Sequence, residues 1–246
     1  MRRIEILHLC LTVVAVIFAA TSIFLPWWSL HLSPEAKTIL KSEFRADYTL
    51  LKTVSSILDN QSVTVNLTNL TSTEDPNASS FGFMDTTLYL VVGGLVFSVP
   101  MIIGASVLRK SKYLRFILIL GYLSSVLLLL SVIYFNSEVA TPISRLSKIG
   151  AINAPEEWTP INPSDITSAW GSKAVATGSP ILSWLSSGNF WIWQPSTGWY
   201  LALSASLLVA VSALTTRLFM EQEKKLAMRT GVRNLSTDTT LTSKKQ

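Results

Sequence analysis

The sequence predicts a membrane protein: a four-transmembrane-helix bundle with a small extracellular β-rich domain built from two external loops. Three observations lead there. Only 14% of the 246 residues are charged, against roughly 25% in soluble domains. Four windows, residues 4–25, 87–108, 113–135 and 198–219, are apolar over the length that a helix needs to cross the hydrocarbon core of a bilayer. The two long segments between them, 26–86 and 136–197, carry stretches in which apolar and polar residues alternate, the period of half-buried strands.

The first window, in the N-terminal segment 1–25, follows Arg2 and Arg3 and confines Glu5 and His8 to its first turns. Its apolar run exceeds the 7–15 residues or so of a signal-peptide core, so a retained helix is expected; cleavage near residues 20–22 would leave the remaining topology unchanged. The second window contains Pro100, whose ring clashes with the preceding turn and predicts a kink. A turn at 109–112 leads to the third, which carries the run Val126-Leu127-Leu128-Leu129-Leu130. The fourth has Arg217 near its end. No window has a charge at its centre, where one costs roughly 2.5–3.5 kcal/mol. Small residues recur every four positions: Ala15 and Ala19; Gly94 and Ser98; Gly121 and Ser125; Ala202, Ser206 and Ala210. Such ridges let helices approach closely, within one bundle or against a partner subunit.

Lysine and arginine beside the spans set orientation. Arg2 and Arg3, then Arg109, Lys110, Lys112 and Arg115, then Arg217, Lys224, Lys225 and Arg229 all fall on one side. Both termini are therefore expected in the cytoplasm of a multi-pass cell-membrane protein. The net charge of +5 resides largely in these flanks, so it is no nucleic-acid signature. On the opposite side, Asn60, Asn66, Asn69 and Asn77 each begin an N-x-Ser/Thr sequon, making them glycosylation candidates. All eight tryptophans also belong to that side or its interface.

In the first loop the alternations are Trp28-Ser29-Leu30-His31-Leu32, then Phe44, Ala46, Tyr48 and Leu50, then Val63, Val65 and Leu67. They predict a small antiparallel sheet growing from the end of the first span. A helix competes: Ser33-Pro34-Glu35 forms a good cap, and Ile39, Leu40, Phe44, Leu51, Val54 and Leu58 fit helical spacing. The unbroken alternation over 43–50 favours strand there. Residues 72–80 are polar and read as loop. The second loop is rich in Pro and Gly and ends in an apolar, aromatic stretch over 181–193. Trp184, Trp191 and Trp193 either complete the sheet, anchor the outer leaflet or form a platform. With Trp27, Trp28 and Trp199 they are the candidate interface, lipid or ligand residues. The tail, 220–246, begins as a charged helical extension and becomes a Ser/Thr-rich stretch expected to be disordered.

The residues suggest no chemistry. The lone Cys10 permits neither an internal disulfide nor a cysteine zinc site, and His8 and His31 belong to opposite sides of the bilayer. No Gly-rich phosphate loop occurs, and no cofactor, metal or catalytic residue is assigned. The expected partners are the lipid bilayer and a membrane protein or second copy of the chain, with no nucleic acid.

Pro26-Trp27-Trp28-Ser29-Leu30, at the opening of the first span into a strand-rich loop, resembles the claudin-type tetraspan arrangement. With Gly198-Trp199-Tyr200-Leu201 it also resembles uncharacterised archaeal four-span membrane proteins. The Gly-Leu-Trp and paired-cysteine signature of claudins is absent, and the second loop is longer than theirs. The resemblance implies an external sheet packed on a left-handed four-helix bundle, and fold alone gives no function. The expectation is a non-catalytic membrane interaction protein, an accessory subunit or surface scaffold. The alternative is a permeation or lipid-handling protein using an inter-helix groove or the Trp-rich end of the second loop.

Overall fold

The computed structural model describes residues 3–34, 37, 43–58, 61–66, 82–107, 111–140, 166–173 and 191–242. Four helices dominate it: α1 (Arg3–Phe24), α2 (Gly82–Val107), α3 (Ser111–Glu138) and α4 (Thr197–Thr242). Each is long and apolar enough to cross a membrane, over Ile6–Phe24, Gly82–Ile103, Arg115–Glu138 and Thr197–Leu218. The helices pack in a ring, α1 on α2, α2 on α3, α3 on α4 and α4 on α1. Large aliphatic side chains face outward on all four, among them Ile17, Val96, Ile119 and Leu207. Water would penalise that surface; hydrocarbon does not.

Small residues make the inside. Ala15, Ala19, Ala202, Ala205 and Ala213 are buried, and Ser98 and Ser206 with them. A Cβ on Gly94 would lie 2.7 Å from Leu128 Cγ, and one on Gly121 2.7 Å from Met101 Cε. Hydroxyls join the helices where side chains are short. Ser124 donates to the Gly94 carbonyl (2.7 Å), and Ser125 and Ser206 each donate to the other's carbonyl (3.0 Å). Ala210 is half-buried. Pro100 lies inside α2, which continues through it to Val107.

Six strands form one antiparallel sheet in the order β4-β3-β2-β1-β6-β5. They are β1 (Pro26–Leu32), β2 (Phe44–Thr49), β3 (Thr53–Leu58), β4 (Gln61–Asn66), β5 (Gly171–Lys173) and β6 (Trp191–Pro195). β1, β2 and β4 fall where the alternation predicts them. β3 replaces the helical threading of Leu51, Val54 and Leu58, because its residues pair with β2 from Tyr48↔Val54 to Phe44↔Leu58. The β2–β3 loop is three residues long, and its last, Lys52, has φ 57°. Loops of this kind close with a left-handed residue, usually Gly; here Lys stands in that place. Ser33 begins a helical turn, its carbonyl accepting from Lys37 N–H at 3.0 Å.

The tail begins, as expected, as a helical extension of the last helix, and the helix goes on through the Ser/Thr-rich stretch. α4 continues past the span to Thr242 and is 46 residues long. Glu, Lys, Gln, Leu, Ala, Met and Arg over 221–229 are strong helix formers, and an anchored helix extends without a new nucleation cost. Arg217 and Glu221 pair at i,i+4 across the exit from the span (3.3 Å).

Candidate functional site

The sheet and its attachment to the bundle bring most of the singled-out residues together. Only Leu25 separates α1 from β1, and only Ser196 separates β6 from α4. β1 and β6 are themselves paired, from Trp28↔Pro195 to Leu32↔Trp191. The packed helices α1 and α4 therefore continue as paired strands. Ser196 N–H donates to the Trp27 carbonyl (2.9 Å). α4 starts so close to this link that a Cβ on Gly198 would lie 2.6 Å from Trp27 Cδ1 and 2.8 Å from the Leu25 carbonyl oxygen.

The tryptophans are structural members of this joint. Trp27 is fully buried; its indole N–H donates to the Ser22 carbonyl (2.6 Å), and its ring lies 5.1 Å from Phe135, which meets Phe83 at 5.5 Å. Trp199 donates to the Val132 carbonyl at 3.3 Å. A second fastening comes from the β2–β3 loop, where Lys52 pairs with Asp85 in the first turn of α2 (2.6 Å).

Above the joint the sheet has two unlike faces. Cross-strand partners share a face, which places Trp28, Leu30, Leu32, Phe44, Ala46, Tyr48, Val54, Trp191 and Trp193 together, and all are buried. Trp28 meets Tyr48 edge-on at 5.1 Å, and Phe44 meets Trp191 at 5.2 Å. Residues 166–171 close over part of this face. Trp28 donates to the Ala169 carbonyl (3.0 Å) and Trp193 to the Ser168 carbonyl (3.1 Å). A Cβ on Gly171 would stand 2.2 Å from Trp193 Cζ2, so no other residue fits there without rearrangement.

Of the alternatives open for Trp191 and Trp193, the structure takes completion of the sheet; with Trp27, Trp28 and Trp199, each is at most 9% exposed. β6 lies between β1 and the edge strand β5, and its alternate residues inherit the covered face. Among the described tryptophans the exposed one is Trp170, 43% accessible and edge-on to Trp199 at 5.6 Å; Trp199 is 5.0 Å from the exposed Tyr200. Trp184 lies outside the described residues, as do Asn60, Asn69 and Asn77; Asn66 ends β4, the outermost strand.

The opposite face is polar. Ser29 and His31 of β1 stand opposite Asp47 and Arg45 of β2 and opposite Gln194 and Ile192 of β6. Ser55 and Ile57 continue these rows on β3. Arg45 and Gln194 are exposed, and Arg45 pairs with Asp47 at 2.8 Å. Lys37 pairs with Glu43. His31 titrates below its ordinary value of 6.5, mainly because it is partly buried and also because Arg45 and Lys37 are close, with Asp47 offsetting in part. Among the described residues no three His, Cys, Asp or Glu side chains are grouped as a metal site would require.

No protein-family model matches this chain, and no curated protein matches it in sequence.

Proposed function

We propose that this chain is a non-catalytic integral membrane interaction protein, an accessory subunit or surface scaffold. The sheet would stand on the extracellular side and present its polar face to a partner in the same membrane. The observation that carries this reading is the union of a polar sheet face, on which Arg45, Ile57 and Gln194 are exposed, with a rigid base. Two helix-to-strand links, buried Trp27 and Trp199, and the Lys52–Asp85 pair hold that face at a fixed attitude to the helices. A pre-organised surface binds with less ordering cost than a loop. Its charges are mutually paired and its rim is Ser, Thr and Gln, a composition suited to a protein contact of modest polarity.

The test is the native mass and composition of the protein after gentle extraction from its own membrane. The expected result is stoichiometric co-purification of a second polypeptide. Ile57→Arg with Gln194→Arg, both exposed on the polar face, should weaken that association about tenfold, the effect of ~1.4 kcal/mol. The helical circular dichroism should remain unchanged. A lone species retaining lipid would instead favour lipid handling, for which the exposed Trp170 and Tyr200 at the start of α4 are the motivating observation. A lone species without lipid or partner would sink both readings.

A further inference from the structure

At the other end of the α1/α4 pair, far in sequence from the sheet, an ionisable side chain is buried between helices. His8 of α1 is 5% exposed. Its Nδ1 lies 2.6 Å from Ser212 Oγ, 3.0 Å from Thr216 Oγ1 and 3.1 Å from the Ser212 carbonyl oxygen, all on α4. The Met101 carbonyl of α2 also lies near the ring. Ser212 Oγ has two further neighbours, Thr12 Oγ1 at 2.8 Å and the His8 carbonyl oxygen at 3.2 Å. Thr12 reaches the same His8 carbonyl at 2.9 Å, and Thr216 donates to the Ser212 carbonyl at 3.0 Å.

This network closes in two ways without moving a heavy atom. With a neutral ring, the Ser212 hydroxyl donates to Nδ1. With a protonated ring, Nδ1–H donates to Ser212 Oγ, and the hydroxyl turns its own proton to the His8 carbonyl. A buried imidazolium needs an acceptor for each N–H; Ser212 Oγ and the Ser212 carbonyl stand at Nδ1, and the Met101 carbonyl is the protein acceptor near the ring's other side. The described ionisable side chains nearest in sequence or space are engaged elsewhere. Cys10 is exposed on the outer surface, and Arg217 binds Glu221 and Tyr122. The ring therefore faces Thr12 from α1, the Met101 carbonyl from α2, and Ser212 and Thr216 from α4.

We propose that His8 is a proton-binding site inside the helical bundle, with Ser212 as the reversible hydrogen-bond partner that lets the same packing hold the ring neutral or charged. Ionisable groups within spans are rare and mark functional positions, proton relays among them. The proposal stands apart from the sheet's proposed partner contact, because it concerns the opposite end of α1 and α4 and a proton as ligand.

The chain has two histidines, so His31→Gln leaves His8 as the single imidazole. Nitrogen-15 spectra of that protein in lipid nanodiscs would follow the ring between about pH 5 and 8, the range in which histidine titrates. The expected result is a reversible titration with the helical spectrum intact. Ser212→Ala should remove it from that window, whereas Thr216→Val, which spares the exchange partner, should keep it. A wild-type ring that stays neutral until the bundle unfolds would overturn the proposal and leave His8 as a packing pin. Titration unchanged in Ser212→Ala would overturn the role of the serine. Should Ser212→Ala fail to insert, the wild-type titration decides for or against the site.

Discussion

His31 occupies a position where strand geometry and charge act together. It stands directly opposite Arg45, and burial together with Arg45 and Lys37 depresses its titration in the folded sheet. The unfolded chain titrates near 6.5. Below that value the unfolded state takes up a proton that the folded sheet resists, so acidification favours unfolding. The stabilisation is present in full above about pH 6.5 and is lost as pH falls through the lower folded-state value. The sheet's thermal midpoint should therefore drop on acidification from about pH 7.5 to 5, and should drop less in His31→Gln. Equal pH slopes in the two proteins would show that His31 does not set the acid limit. Residue identity alone did not reveal this position: period two places His31 on the polar face, but its neighbours are fixed only by register. The same holds for His8. Its first-turn position reads as interfacial, and only the approach of Ser212 and Thr216, some two hundred residues later, makes it buried.

At the scale of elements, the small-residue ridges make distinct demands. On Gly94 a new Cβ would meet Leu128 at its branch carbon (2.7 Å) and Cδ2 (2.9 Å), with the Ser124 carbonyl oxygen at 3.3 Å. On Gly121 the nearest atoms are the terminal Cε and the Sδ of Met101, 2.7 and 3.0 Å away, and Ala213 Cβ at 3.1 Å. A methionine end adapts at little cost, whereas a leucine branch point wedged between helices does not. Gly94→Ala should thus destabilise by about 1–3 kcal/mol, the usual cost of overpacking, and Gly121→Ala by less. Unfolding in mixed detergent would rank the two, and the reverse order would contradict the packing described. Elements with a strong repeating pattern were legible in advance: the four long apolar helices, and β1, β2 and β4. β3 was hidden because its turn closes on Lys52 instead of the Gly or Asn that advertises a hairpin. β5 has three residues and no pattern of its own. In the tail, the charged stretch from Met220 carries good helix formers and was legible as a helical extension, whereas the Ser/Thr-rich end has no pattern that announces the continuation to Thr242.

For the whole molecule the decisive fact is that one sheet is assembled from both loops. β1 lies between β2, its near neighbour in sequence, and β6, which arrives from just before the last helix. Nothing local in the sequence announces that pairing. It follows once α1 and α4 are adjacent, since each passes through a single residue into its strand. This arrangement also decides among the places open to Trp191 and Trp193. A Trp-rich strand looks the same whether its aromatic side faces lipid or a covered sheet face, and only the position of β6 in the strand order decides. The consequence is separable. Trp191 and Trp193 bury their rings on the apolar face of the sheet, with Phe44 and the 166–171 segment, whereas Trp27 and Trp199 hold the joint below. Replacing a buried aromatic by alanine costs about 3–5 kcal/mol, and two in one small sheet exceed what it can absorb. Trp191→Ala with Trp193→Ala should therefore open the β6–β1 and β6–β5 pairings while the four helices stay inserted and packed. Hydrogen exchange would show amides of β1, β5 and β6 losing protection, with those at the centres of α1 to α4 unchanged. Loss of protection throughout the helices would mean that the sheet is required for the bundle to form. Retained protection in β6 would mean that the strand pairing survives without its aromatic core.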